Sequence, residues 1–68
     1  MSQHEEELVQ RLEAISEDLG DRSMSLLREA LETGDADAVE TEKRVVRARR
    51  AVDKAINLLG GGSPGLFD

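Results

Sequence analysis

Ile15-Ser16-Glu17-Asp18-Leu19-Gly20-Asp21-Arg22-Ser23-Met24-Ser25-Leu26 is the stretch on which the fold turns. A glycine inside a helix costs roughly 1 kcal/mol relative to alanine. Gly20-Asp21 therefore invites a break at residues 19–23, which would divide the chain into three helices. The hydrophobic phase argues the other way. Ile15 and Leu26 lie eleven residues apart, close to three full turns, so the apolar face continues across the glycine without a shift. One helix over about residues 3–33 is the expectation, with the three-helix arrangement as its alternative.

Upstream, Ser2-Gln3-His4-Glu5 has the form of a capping box, followed by Glu6 and Glu7 in the first turn, where negative charge suits the helix dipole. The apolar positions Leu8, Val9, Leu12, Ile15, Leu19, Leu26, Leu27, Ala30 and Leu31 share one broad face. Downstream, Thr33-Gly34-Asp35-Ala36-Asp37 reads as a turn. Gly34 is suited to the left-handed residue that closes a helix, and Asp37 with Glu40 repeats the capping pattern. A second helix over about residues 38–59 carries Val45, Ala48, Val52, Ala55, Ile56 and Leu59 on one side. Two long helices and a short connection define an all-α antiparallel hairpin, with a domain over residues 1–59 and a Gly-rich tail over residues 60–68.

Sixty-eight residues without cysteine leave little means of stabilising a lone hairpin, because small domains bury a modest share of their surface. Dimerisation into a four-helix bundle is the simplest remedy. The expected inner seam is Leu12, Ile15, Leu19, Leu26, Val45, Val52 and Ile56. The residues expected to carry self-association are Leu8, Val9, Leu12, Ile15, Leu19, Leu27 and Leu31.

Charge is sorted along the chain. Residues 1–42 hold thirteen acidic and three basic side chains, and residues 43–54 hold six basic and one acidic. Lys43, Arg47, Arg50 and Lys54 follow a four-three-four spacing that confines them to an arc of roughly 60° on a helix, away from the apolar residues. This stripe is the first candidate surface for a partner. An acidic protein is the favoured class, since complementary charge speeds encounter and fixes orientation. The competing reading is nucleic-acid binding through the same stripe. The chain's net charge of −6 opposes that reading, as does the lack of Asn, Gln and aromatic residues in the basic segment.

The tail supplies the second candidate, Leu66-Phe67, a hydrophobic pair beyond Gly60-Gly61-Gly62-Ser63. Ser63-Pro64-Gly65-Leu66-Phe67 loosely resembles the pentapeptides that bind the bacterial sliding clamp, with Leu66 and Phe67 the two positions that coincide. Two residues do not identify a family.

Other functions find little support. The single histidine, His4, stands without a metal-ligand pattern, and no Gly-rich phosphate loop precedes a helix. No Cys–His or Ser–His–acid arrangement is available. The expectation is a non-enzymatic interaction or regulatory module, needing no cofactor or metal. No apolar run approaches the ~20 residues that span a bilayer, and the polar, acidic start is unlike a signal peptide, so a cytoplasmic homodimer is expected.

Overall fold

The computed structural model describes residues 2–60. They form two α-helices, α1 (Gln3–Thr33) and α2 (Ala36–Gly60), packed against each other as an antiparallel hairpin. Helix α1 is unbroken through Gly20, which rules out the three-helix arrangement. At a rise of 1.5 Å per residue the helices are about 46 and 37 Å long.

Local chemistry sets the ends. Ser2 caps α1, its extended backbone (φ −76°, ψ 162°) letting its hydroxyl accept the Glu5 N–H. The reciprocal half of the capping box is not made. Glu5 Oε2 is instead buried with no hydrogen-bond partner among the described residues. At the other end Gly34 adopts φ 68°, and its N–H donates to the Ala30 carbonyl. A side chain is strained in that conformation, so glycine belongs there. The connection is tightened by Thr33, whose hydroxyl donates to the Glu29 carbonyl and accepts the Asp35 N–H.

Helix α2 begins two residues earlier than the sequence suggests. Its cap is Asp35, not Asp37: the Asp35 carboxylate accepts the Asp37 N–H at 2.9 Å and its carbonyl accepts the Val39 N–H. Both aspartates fit the capping pattern. Gly34 decides between them, because it ends α1 and leaves Asp35 as the first residue able to start the next helix.

The interface between the helices follows a stricter repeat than the apolar residues do. Along α1, Glu5, Val9, Leu12, Ser16, Leu19, Ser23, Leu26 and Ala30 are the residues drawn into the seam, at alternating spacings of four and three. That is a 3.5-residue repeat, the signature of left-handed coiled-coil packing. On α2 the matching series is Ala38, Glu42, Val45, Arg49, Val52 and Ile56. Arg49 is exposed overall and joins the seam through its hydrogen bond to Ser16, and Thr41, Val46 and Ala55 are half-buried beside the series. Each series divides into two rows. Leu12, Leu19 and Leu26 make a bulky row on α1 beside a row of smaller residues, Val9, Ser16, Ser23 and Ala30. On α2 the small residues Ala38, Val45 and Val52 form one row, and the long Glu42, Arg49 and Ile56 the other. Long side chains of each helix thus meet short ones of its partner, as dense packing requires.

Gly20 takes part in this fit. A Cβ built there would lie 2.8 Å from Arg49 Nη1 and 3.0 Å from Cζ, so the guanidinium lies over the helix backbone where any other residue would hold it off. The glycine is a close-approach position and not a hinge. We predict that Gly20→Ala raises stability by about 1 kcal/mol, the helix-propensity difference, only when Arg49 has first been changed to Ala. With Arg49 present the gain is offset by displacement of the guanidinium. A double-mutant cycle by thermal or urea unfolding measures this coupling, and equal gains in both backgrounds would refute it. Asp35→Ala is expected to cost about 1 kcal/mol and Asp37→Ala far less, because only the first removes a cap.

Candidate functional site

Around Gly20 the seam carries a polar layer. The Ser16 hydroxyl donates to Asp53 Oδ1 at 2.7 Å and accepts from Arg49 Nε at 3.2 Å. Two turns further toward the loop, the Ser23 hydroxyl donates to Glu42 Oε2 at 3.0 Å. Ser16 is 7% exposed, the one buried polar residue described, and its hydroxyl has its donor and one acceptor position filled. The two charged partners remain largely in water. This arrangement can position one helix against the other, and its groups converge on no substrate-sized enclosure. The only described residues buried besides Ser16 are Leu26 and Ala38.

The polar layer divides the hairpin's surface. By helical period Ser16, Gly20 and Ser23 lie to one side of the Leu12–Leu19–Leu26 row, and Leu8 and Ile15 to the other. The side carrying Arg49, Asp53 and Glu42 is the polar side, and Glu13, Glu17 and Asn57 line the shallow depression beside Ser16. The opposite, aliphatic side presents Leu8 and Ile15, 45% and 46% exposed, beside half-buried Leu12 and Leu19. Helix α2 contributes Ala48, Ala51, Ala55 and Leu59 there, with exposed Arg44 on the same side toward the loop.

The seven residues expected to carry self-association are therefore not one surface. Leu8, Leu12, Ile15 and Leu19 belong to the aliphatic side. Leu27 and Leu31 lie toward the other side, near the loop, with exposed Met24. Val9 is half-buried in the seam. Ile15, expected within the seam, stands outside it, and Ser16 holds that level instead. The remaining expected seam residues, Leu12, Leu19, Leu26, Val45, Val52 and Ile56, are all buried or half-buried in it. Apolar periodicity cannot see the polar seam residues Ser16, Ser23 and Glu42. An uninterrupted 3.5-residue register was the available signal.

Lys43, Arg47, Arg50 and Lys54 are all exposed and lie on the face of α2 turned from α1. Glu42, Lys43, Val46, Arg47 and Arg50 line a shallow open depression there. Among the described residues one ion pair touches the stripe, Lys43 Nζ to Glu40 Oε1 at 3.8 Å between exposed side chains. Such a pair contributes little and leaves the lysine available. Arg44 is exposed as well. Leu66 and Phe67 lie outside the described residues. Among the described residues no cluster of His, Asp or Glu is arranged to hold a metal ion, and no helix is long and apolar enough to cross a membrane.

Comparison with known protein families, with curated proteins and with solved structures finds no match to this chain.

The serine layer makes a direct prediction. Ser16→Ala and Ser25→Ala share the same gain in helix propensity, but only Ser16 bridges the helices. Ser16→Ala is expected to be less stable than Ser25→Ala by about 1 kcal/mol, the usual net contribution of a hydrogen bond. Denaturant melts of the two variants test this, and equal midpoints would mean that the bridge contributes nothing.

Proposed function

We propose that this chain is a non-enzymatic interaction module that self-associates through aliphatic helical surface and presents the basic face of α2 to an acidic protein partner. The observation that carries the reading is the mismatch between inside and outside. The hairpin is one helix thick, with principal extents of 46 × 25 × 12 Å. Among the described residues only Leu26 and Ala38 are buried apolar residues, while Leu8, Ile15, Met24, Leu27, Leu31, Leu58 and Leu59 remain exposed. A layer of this kind has no interior of its own, and exposed aliphatic surface marks a contact face.

The stripe of Lys43, Arg47, Arg50 and Lys54 lies nearly opposite the seam. A partner can reach it without disturbing the contact between the helices. Its separation from the acidic residues of α1 favours a partner with clustered carboxylates, bound with complementary charge. The same four cations could instead neutralise phosphates, which is the second reading. The overall charge of −6 weighs against it. The Leu66-Phe67 pair remains a second proposed docking element, and a cytoplasmic setting is proposed with it.

The test is affinity capture from host extract with and without nuclease treatment, using the intact chain and a variant with Lys43, Arg47, Arg50 and Lys54 all changed to Gln. The expected result is an acidic protein retained after nuclease and lost from the variant, whose helicity is unchanged. Loss on nuclease treatment, with affinity falling linearly in log–log terms as salt rises, would replace the protein partner with nucleic acid. Equal capture by both forms would remove the stripe from the account.

A further inference from the structure

The aliphatic side is asymmetric in two independent ways, and together they select one way of covering it. The first is size. On α1 this side is bulky, with Leu8, Leu12, Ile15 and Leu19. On α2 its middle is small, with Ala48, Ala51 and Ala55. The Ser16–Asp53 hydrogen bond fixes the relative level of the helices. Ile15, next to Ser16, stands level with the residues around Asp53, and Ala51 and Ala55 lie two positions to either side of it. The second is charge. Helix α1 holds nine acidic and three basic side chains, a net of −6. Helix α2 holds four acidic and six basic, a net of +2.

We infer that a second copy of this chain covers the aliphatic side, with α1 of each copy lying over α2 of the other and both loops at the same end of the resulting four-helix bundle. The inference rests on the self-association proposed above and specifies its geometry. The twofold axis then runs parallel to the helices. Ile15 and Leu19 of each copy pack onto the alanines of the other, while Leu8 meets Leu58 and Leu59. Helices of opposite net charge become neighbours across the interface. The other closed arrangement has its twofold axis perpendicular to the helices. It stacks leucines on leucines and alanines on alanines, and sets −6 against −6. Arg11 and Arg22 interrupt the acidic margin of α1, so the charge preference is that of whole helices and not of a set of ion pairs.

Two adjacent helices in contact over their whole length, about 37 × 20 Å, present roughly 700 Å² per copy, near the ~800 Å² per partner of a stable interface. The aliphatic residues from Leu8 to Leu19 and from Ala48 to Leu59 supply about half of that length, and the half toward the loop carries exposed Arg22 and Arg44. The stripe of Lys43, Arg47, Arg50 and Lys54 is not consumed by this contact. Lys54 and Arg47 lie at its margin and Lys43 and Arg50 outside it, so the dimer displays two stripes on opposite flanks.

The chain has no cysteine, so a single spin label at Glu32→Cys, an exposed position near the loop, reports the arrangement directly. Sedimentation equilibrium over a range of concentrations is measured alongside. The expected result is a dimer whose labels are about 20–35 Å apart, as for diagonal helices in a bundle with ~10 Å sides plus the label arms. A dimer with labels about 45 Å or more apart, one helix length, would overturn the arrangement while leaving self-association standing. Ile15→Asp is expected to weaken dimerisation at least tenfold with the hairpin still helical, since Ile15 is outside the seam. Leu31→Asp, on the other side and 87% exposed, should leave dimerisation unchanged. If Leu31→Asp dissociates the dimer and Ile15→Asp does not, the face is wrong. A monomer at all concentrations would refute both this geometry and the self-association on which it rests.

Discussion

The level of one helix against the other depends on a contact at Gly20, where the Arg49 side chain of α2 lies against the backbone of α1. With no Cβ there, the Arg49 guanidinium can lie against α1 and its Nε can reach the Ser16 hydroxyl. That hydroxyl in turn holds Asp53. Three residues of different helices are tied through one oxygen, and the tie specifies a level. An aliphatic seam alone is permissive, because leucine and valine rows pack almost as well after a slip of one turn. A slip would leave Ser16 without partners in a buried position and press Arg49 against a residue bearing a side chain. Breaking a satisfied hydrogen bond at a buried group costs about 1–3 kcal/mol. The polar layer acts chiefly through the registers it disfavours.

The same layer explains why the surface is divided as it is. Long polar side chains from α2 need short residues opposite them, so the row of α1 facing them is Val9, Ser16, Ser23 and Ala30. The bulky residues of α1 are displaced to the other row and to the flank beyond it, where Leu8 and Ile15 reach water. A two-helix layer can satisfy either its polar side or its aliphatic side internally, and this one satisfies the polar side. Its hydrophobic surface is left to face outward. In most small domains the apolar residues are inside and the polar network is outside. Here one layer of helices holds a serine bridge at its centre and carries exposed leucine and isoleucine on its flank.

The hairpin was legible in the sequence because its signals are local. The phase from Ile15 to Leu26, the left-handed glycine at position 34 and the length of the second apolar run each depend on a few neighbouring residues. The capping aspartate was misplaced by two positions, since Asp35 and Asp37 have the same chemistry and only Gly34's conformation separates them. The seam was legible wherever it is apolar. Ser16 was invisible because a serine on a charged helix looks solvated until its partners, 33 and 37 residues away, are brought to it. Gly20 appeared as a cost in helix stability for the same reason: what offsets it belongs to the other helix. The candidate association residues looked continuous because a helical projection of α1 alone does not include the ridge of α2 that divides Leu8 and Ile15 from Leu27 and Leu31.

The charge pattern acquires a physical meaning from this arrangement. Within one hairpin the acidic back of α1 and the basic back of α2 point away from each other, and the described residues form a single ion pair involving Lys43 and Glu40 on one helix. No ion pair joins the two helices among the described residues, so the sorted charges are not consumed by direct contacts within the hairpin. Between molecules, sorting makes some pairings attractive and others repulsive at distances comparable to the Debye length of about 8 Å at physiological salt. A uniform mixture of the same charges would keep the chain as soluble but would not distinguish orientations. Separate acidic and basic helices distinguish two orientations of a face-to-face dimer before any side chains interlock, and they leave four cations on an outer face where α1 offers them no counter-charge. The segregated charges and the exposed aliphatic flank are thus two features of one surface, and together they are what the proposed association rests on.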